Sequence, residues 1–110
     1  MGTVTTHVLD TARGCPASGV DVVLERLGAT VAAVAAGRTD ADGRVDGFGP
    51  DRLAAGDYRL RFATAAYFAD LGVPALYPEV VVVFSLSDPG QHYHLPLLLG
   101  PFSYSTYRGS

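Results

Sequence analysis

Apolar and polar residues alternate with a period of two in one short run after another along this chain, and that periodicity confines it to an all-β architecture. Successive side chains of a strand point to opposite faces, so each run divides itself into a core side and an outer side. Between Val20 and Leu27, Val20, Val22 and Leu24 share one face while Asp21 and Glu25 take the other. Between Asp57 and Thr64, Tyr58, Leu60 and Phe62 point inward and Arg59 and Arg61 outward. The first strand, Thr3 to Asp10, separates Val4, Thr6 and Val8 from Thr5, His7 and Leu9. In Gln91 to Leu99, Tyr93, Leu95, Leu97 and Leu99 form the core face, opposite His92, His94, Pro96 and Leu98.

The remaining segments link these strands. Gly14, Pro16 and Gly19 make residues 11–19 a reversal, and Asp40-Ala41-Asp42-Gly43 is a tight turn that delivers Arg44 to a short strand. Thr30 to Thr39, Glu79 to Leu86 and Ser103 to Tyr107 complete the strands. Ala65 to Leu71 breaks the alternation and fits two helical turns ended by Gly72 and Pro74. The expectation is one domain, residues 1–110, built as a two-sheet antiparallel β-sandwich of about eight strands with one short helix.

Charge and composition remove several function classes. A net charge of −3 without a basic tract argues against a nucleic-acid partner. The single Cys15 cannot form an intrachain disulfide, and no stretch reads as a signal peptide or a membrane span, so no membrane partner and a cytoplasmic location are expected. Met1-Gly2 with Thr6 matches a loose myristoylation pattern, for which an ordinary start is the simpler reading. Cys15 reads as a turn residue, and Asp40 to Gly43 lacks the later ligands of a calcium loop.

Imidazole exchanges protons near neutral pH, and the three histidines, His7, His92 and His94, all fall on outer strand faces. Pro96 and Leu98 share the face of His92 and His94, which points to an edge, a cavity or a subunit interface.

Thr6-His7-Val8-Leu9-Asp10, Gly37 to Arg44, Tyr77-Pro78-Glu79-Val80, His92 to Leu99 and Ser103 to Ser110 resemble the successive signatures of the transthyretin-like 5-hydroxyisourate hydrolases, nearly end to end. The terminal Tyr107-Arg108-Gly109-Ser110 is the most specific part, because it separates the hydrolases from the transthyretin hormone carriers. Tyr77 and Gly100 depart from the commoner Phe and Ser of the family without touching the principal site positions. The resemblance implies a homotetramer, a dimer of dimers around a channel. It places catalytic roles on His7, Arg44, His94 and Tyr107, and substrate contacts on His7, Arg44, Tyr107 and Ser110. His92, Pro96, Leu98, Ser105, Arg108 and Gly109 are supporting positions, and neither a metal nor another cofactor is implied.

Opening a ring amide with water needs a base for the water proton, donors for the developing oxyanion and a means of holding the ring. His7 and His94 suit the first task, Arg44 the second and Tyr107 the third. Two rivals stand beside this reading: a zinc hydrolase using His7, His92 and His94, and a non-catalytic carrier of flat aromatic ligands. Ser103, Ser105 and Ser110 lack the elbow motif of a serine nucleophile, which favours water.

Overall fold

The computed structural model describes residues 3–110, apart from the side chains at 46 and 47; the Met1-Gly2 pattern lies outside the described residues. Nine strands and one helix are present among them: β1 (Val4–Asp10), β2 (Cys15–Pro16), β3 (Asp21–Leu27), β4 (Val31–Arg38), β5 (Arg44–Phe48), β6 (Gly56–Phe62), α1 (Thr64–Asp70), β7 (Val80–Leu86), β8 (Tyr93–Leu99) and β9 (Tyr104–Thr106). One sheet runs β4-β3-β6-β7. The other runs β2-β1-β8-β9, with β5 also paired to β1.

Period-two patterning produces the core directly. Val4, Val8, Leu95, Leu97 and Leu99 from one sheet meet Val22, Leu24, Tyr58, Leu60, Phe62, Val80 and Leu86 from the other, all buried. All strand pairs are antiparallel except β1 with β8, which runs parallel from Val4 opposite Tyr93 to Asp10 opposite Leu99. Cys15 and Pro16, expected within a reversal, pair with Asp10 and Leu9 before the chain turns away. Glu25 lies on the outer face as its parity demands, yet it is only 9 % exposed. The continuous register of β3 with β6 places it opposite Arg59, whose guanidinium donates at 2.6 Å, and Arg61 closes over it from 3.7 Å.

The helix is held by packing rather than by caps. Ala63 precedes it without a side-chain hydrogen bond, and Thr64, Tyr67 and Phe68 face the protein interior. The Tyr67 hydroxyl donates to Asp10 Oδ2 at 2.8 Å, tying the helix to the end of β1; burial first, and then that carboxylate, raise the phenol above its ordinary pKa. Gly72, at φ 68°, ends the helix as its position after the apolar run predicted.

Candidate active site

The turn before β5 is built to deliver Arg44. Asp40 Oδ1 accepts the backbone N–H groups of Asp42 at 2.9 Å and Arg44 at 3.0 Å, while the Asp40 carbonyl accepts Gly43 N–H at 2.9 Å. Gly43 has a φ of 76°, and a side chain there would run into the Val8 carbonyl. The turn can therefore lie flat on β1, with Val8 N–H donating to the Gly43 carbonyl at 2.7 Å.

Strand register then assembles the site. On β1, His7 is flanked by Arg44 of β5 on one side and Pro96 of β8 on the other. Two residues back along β1, about 7 Å away, Thr5 stands opposite His94, and His94 bridges to Gly109 of the tail. Four chain segments thus contribute to one outer face of one sheet. His7 and His94 are half-buried on it, and Arg44 is exposed.

Thr5 sits beneath the histidines. Its Oγ1 lies 2.8 Å from His92 Nε2 and 2.8 Å from His94 Nδ1, and the two rings leave the residue 5 % exposed. Alternation places Thr5 on the face of His7, but a threonine in a strand is ordinary and its residue type does not mark it out. The signal available was its parity with His7.

Pro96, expected at an edge, a cavity or an interface, is buried on an interior strand between β1 and β9. Its missing N–H explains a break in the tail. Leu97 pairs with Thr106 and His94 bridges Gly109 in one continuous register, but regular pairing lapses at Tyr107 and Arg108, where Pro96 cannot donate. Thr106 Oγ1 makes good part of this by donating to the Pro96 carbonyl at 2.7 Å. Leu98 is half-buried opposite Ser105, which is exposed on β9.

Beyond the lapse, Arg108 fastens the tail. Its Nη2 donates to Gln91 Oε1 at 2.9 Å and to the His92 carbonyl at 3.2 Å, and its guanidinium lies 4.2 Å from the centroid of the Tyr93 ring. Gly109 N–H donates to the His94 carbonyl at 2.7 Å. A Cβ on Gly109 would meet His94 Cδ2 at 2.8 Å, so glycine is what lets the tail cross the imidazole edge. Tyr107 is 56 % exposed and Ser110 is exposed, on either side of the anchored Arg108 and Gly109 in the chain.

A cavity of about 370 Å³ lies elsewhere, between Arg13, Cys15, Arg38, Tyr67 and Asp70, and none of the histidines lines it. Among the described residues, no three His, Cys, Asp or Glu side chains are gathered as a metal ion would require. The His7, His92, His94 triad of the zinc alternative is thus not assembled. His92 and His94 instead direct ring nitrogens at Thr5.

Comparison with known proteins adds the family. A 5-hydroxyisourate hydrolase of Caulobacter vibrioides is 47% identical over 115 aligned residues that take in all of both chains. The solved structure of Klebsiella pneumoniae 5-hydroxyisourate hydrolase superposes with a TM-score of 0.88 at 40% identity, covering 97% of this chain and 98% of that one. Transthyretin from Sparus aurata superposes with a TM-score of 0.93 at 33% identity, covering 99% and 97%. The backbone is therefore common to a 5-hydroxyisourate hydrolase and a transthyretin, so the fold by itself does not separate the two. The profile described as the HIUase/Transthyretin family matches residues 4–109, and this chain belongs to that family.

Proposed function

We propose that this protein hydrolyses 5-hydroxyisourate to 2-oxo-4-hydroxy-4-carboxy-5-ureidoimidazoline, a step of urate degradation. The observation that carries this reading is the register that lays Arg44, His7, His94 and the Gly109 tail side by side on one face. A carrier for a flat ligand has no need of two imidazoles and a guanidinium gathered in this way.

Water attacks the ring carbonyl, the new C–O bond forms, and the ring C–N bond breaks. His94 and His7 orient the water, take its proton and return it to the departing nitrogen, a contribution of ~10²–10⁴-fold for general acid–base catalysis. Arg44 offers a planar fork of N–H donors to the ring oxygens as charge develops. Tyr107 and Ser110 contact the ring, and no metal takes part.

The face is open in a single chain, whereas sites that bind small molecules are concave. A second wall comes from another copy, in a homotetramer arranged as a dimer of dimers, with Pro96, Leu98 and the exposed tail near the contact. No helix of the described residues is long and apolar enough to cross a membrane; the cytoplasm, with its reducing conditions, suits a chain whose one cysteine is free.

The deciding experiment follows the ultraviolet decay of freshly generated 5-hydroxyisourate. The protein accelerates that decay, and His94→Ala and Arg44→Ala lose most of the acceleration. Decay no faster than in buffer overturns the reading. Activity that disappears on chelation and returns with zinc favours the zinc alternative, and sedimentation velocity tests the tetramer.

A further inference from the structure

Between the rings of His92 and His94 stands a single hydroxyl, Thr5 Oγ1, at 2.8 Å from a nitrogen of each. Thr5 as a residue is 5 % exposed, so bulk water competes poorly for its hydroxyl. A hydroxyl has one proton to give. If it donates to one neutral imidazole it accepts an N–H from the other, and the two rings cannot choose their tautomers independently.

Two neutral chains satisfy that condition. Donation to His94 Nδ1 places the imidazole proton on His94 Nε2 and removes the lone pair from that nitrogen. Donation to His92 Nε2 requires the proton on His94 Nδ1 and leaves Nε2 basic. The orientation of the His94 ring makes the difference matter. Nδ1 points inward at Thr5, while Cδ2, the atom bonded to Nε2, is the one an added Cβ at Gly109 would strike. The Nε2 edge therefore borders the tail, where substrate is expected.

We infer that Thr5 is a positioning residue for the hydrolysis proposed above, on which this inference rests: its hydroxyl donates to His92 Nε2 and accepts the Nδ1–H of His94, holding His94 Nε2 as the base. His92 is the second positioning residue, serving as the acceptor that sets the direction of the chain. When His94 Nε2 takes the water proton, Nδ1–H still donates to Thr5, so the base changes charge without rearranging its supports. The same proton then passes from Nε2 to the departing ring nitrogen. A third group that orients the base is the general pattern of activated water and nucleophile sites, usually filled by a carboxylate. Here a hydroxyl and a second imidazole fill it.

The test uses the full chain with Thr5→Val, which keeps the shape and removes the hydroxyl, and Thr5→Ser, which keeps the hydroxyl. The expected result for Thr5→Val is a fall in kcat on the order of 10–100-fold, part of the general-base effect, with KM within about twofold of wild type. Thr5→Ser recovers most of kcat. Nitrogen-15 spectra of labelled histidine report His94 protonated at Nδ1 in the wild type and shifted toward the other tautomer in Thr5→Val. Wild-type kcat in Thr5→Val, equal losses in the Val and Ser variants, or His94 protonated at Nε2 in the resting protein each overturn the inference. A wild-type chain that does not hydrolyse 5-hydroxyisourate overturns the functional reading instead, and the spectra then judge the hydrogen-bond chain by itself.

Discussion

Gly109→Ala is the smallest change that reaches the proposed base without altering any group that carries chemistry. Gly109 does not have a positive φ, so alanine meets no backbone strain there. The new Cβ would lie 2.8 Å from His94 Cδ2 and 3.4 and 3.5 Å from Pro96 Cγ and Cδ. Carbon atoms pack best at about 3.5–4.0 Å, so the imidazole must retreat by roughly 0.7 Å or more. Pro96 restricts the tail on its other side, and the Gly109 N–H bond to the His94 carbonyl, at 2.7 Å, resists withdrawal. The ring is the freer partner, but its Nδ1 is tethered to Thr5 at 2.8 Å. A displacement near 1 Å at a reacting group costs about 10²-fold, or roughly 2.7 kcal/mol of barrier. Steady-state hydrolysis of 5-hydroxyisourate by Gly109→Ala is therefore expected to show kcat/KM lower by about two orders of magnitude, with the sandwich intact by circular dichroism. A variant within twofold of wild type, its tail still docked in a crystal structure, refutes the idea that glycine is there to clear the imidazole.

Three other perturbations follow from the same contacts. Deleting Tyr107 to Ser110 removes the Arg108 and Gly109 anchors but none of the core, so a folded assembly with little hydrolysis is expected, and full activity would show the tail to be dispensable. Tyr67→Phe takes a donor from the buried Asp10 carboxylate, which keeps only backbone N–H groups from Ala12 and Arg13; urea unfolding should show a loss of about 1–3 kcal/mol. The hydrogen bond from Arg59 holds the Glu25 carboxyl below its ordinary 4.5, so this pair stabilises the fold fully above that pH and progressively less as the pH falls through the depressed value. Urea midpoints measured from neutral to acid pH should fall less steeply for Glu25→Gln than for the wild type, and parallel curves would exclude the pair as a source of acid sensitivity.

Parity along single strands was legible from the residues alone. It separates Val4, Thr6 and Val8 from His7 and Leu9, and Tyr93, Leu95, Leu97 and Leu99 from His94 and Leu98, as burial in the structure bears out; Thr5 and Pro96, on the outer faces by parity, are buried as well, Thr5 against the rings of His92 and His94. The helix lay one residue earlier than the apolar run suggested, because Thr64 is drawn into the core with Tyr67 and Phe68. Parity does not say which strands are neighbours. That β1 lies parallel to β8, and that its other side takes Arg44, depends on pairing between distant segments that no local pattern encodes. Thr5 was invisible for the same reason: its meaning comes from His92 and His94 across the strand boundary, while its own side chain is common in sheets. Pro96 misled in part, since an interior strand can accommodate it where its partner's ladder lapses, at Tyr107 and Arg108.

The parallel pairing of β1 with β8 also decides when the site comes into being. Thr5 and His94 are 89 residues apart along the chain, and closing a loop of that length from a flexible state costs about 4 kcal/mol in entropy before any contact repays it. Neighbouring strands such as β3 and β4 close over a few residues and need no such search. Arg44 can join His7 once β5 has paired with β1, but His94 and Gly109 reach the same face only when β8 and the tail are in place. In refolding, hydrolysis should return with the slowest phase, after most strand signal has been regained, so the enzyme would turn over substrate only once β1 and β8 have found each other.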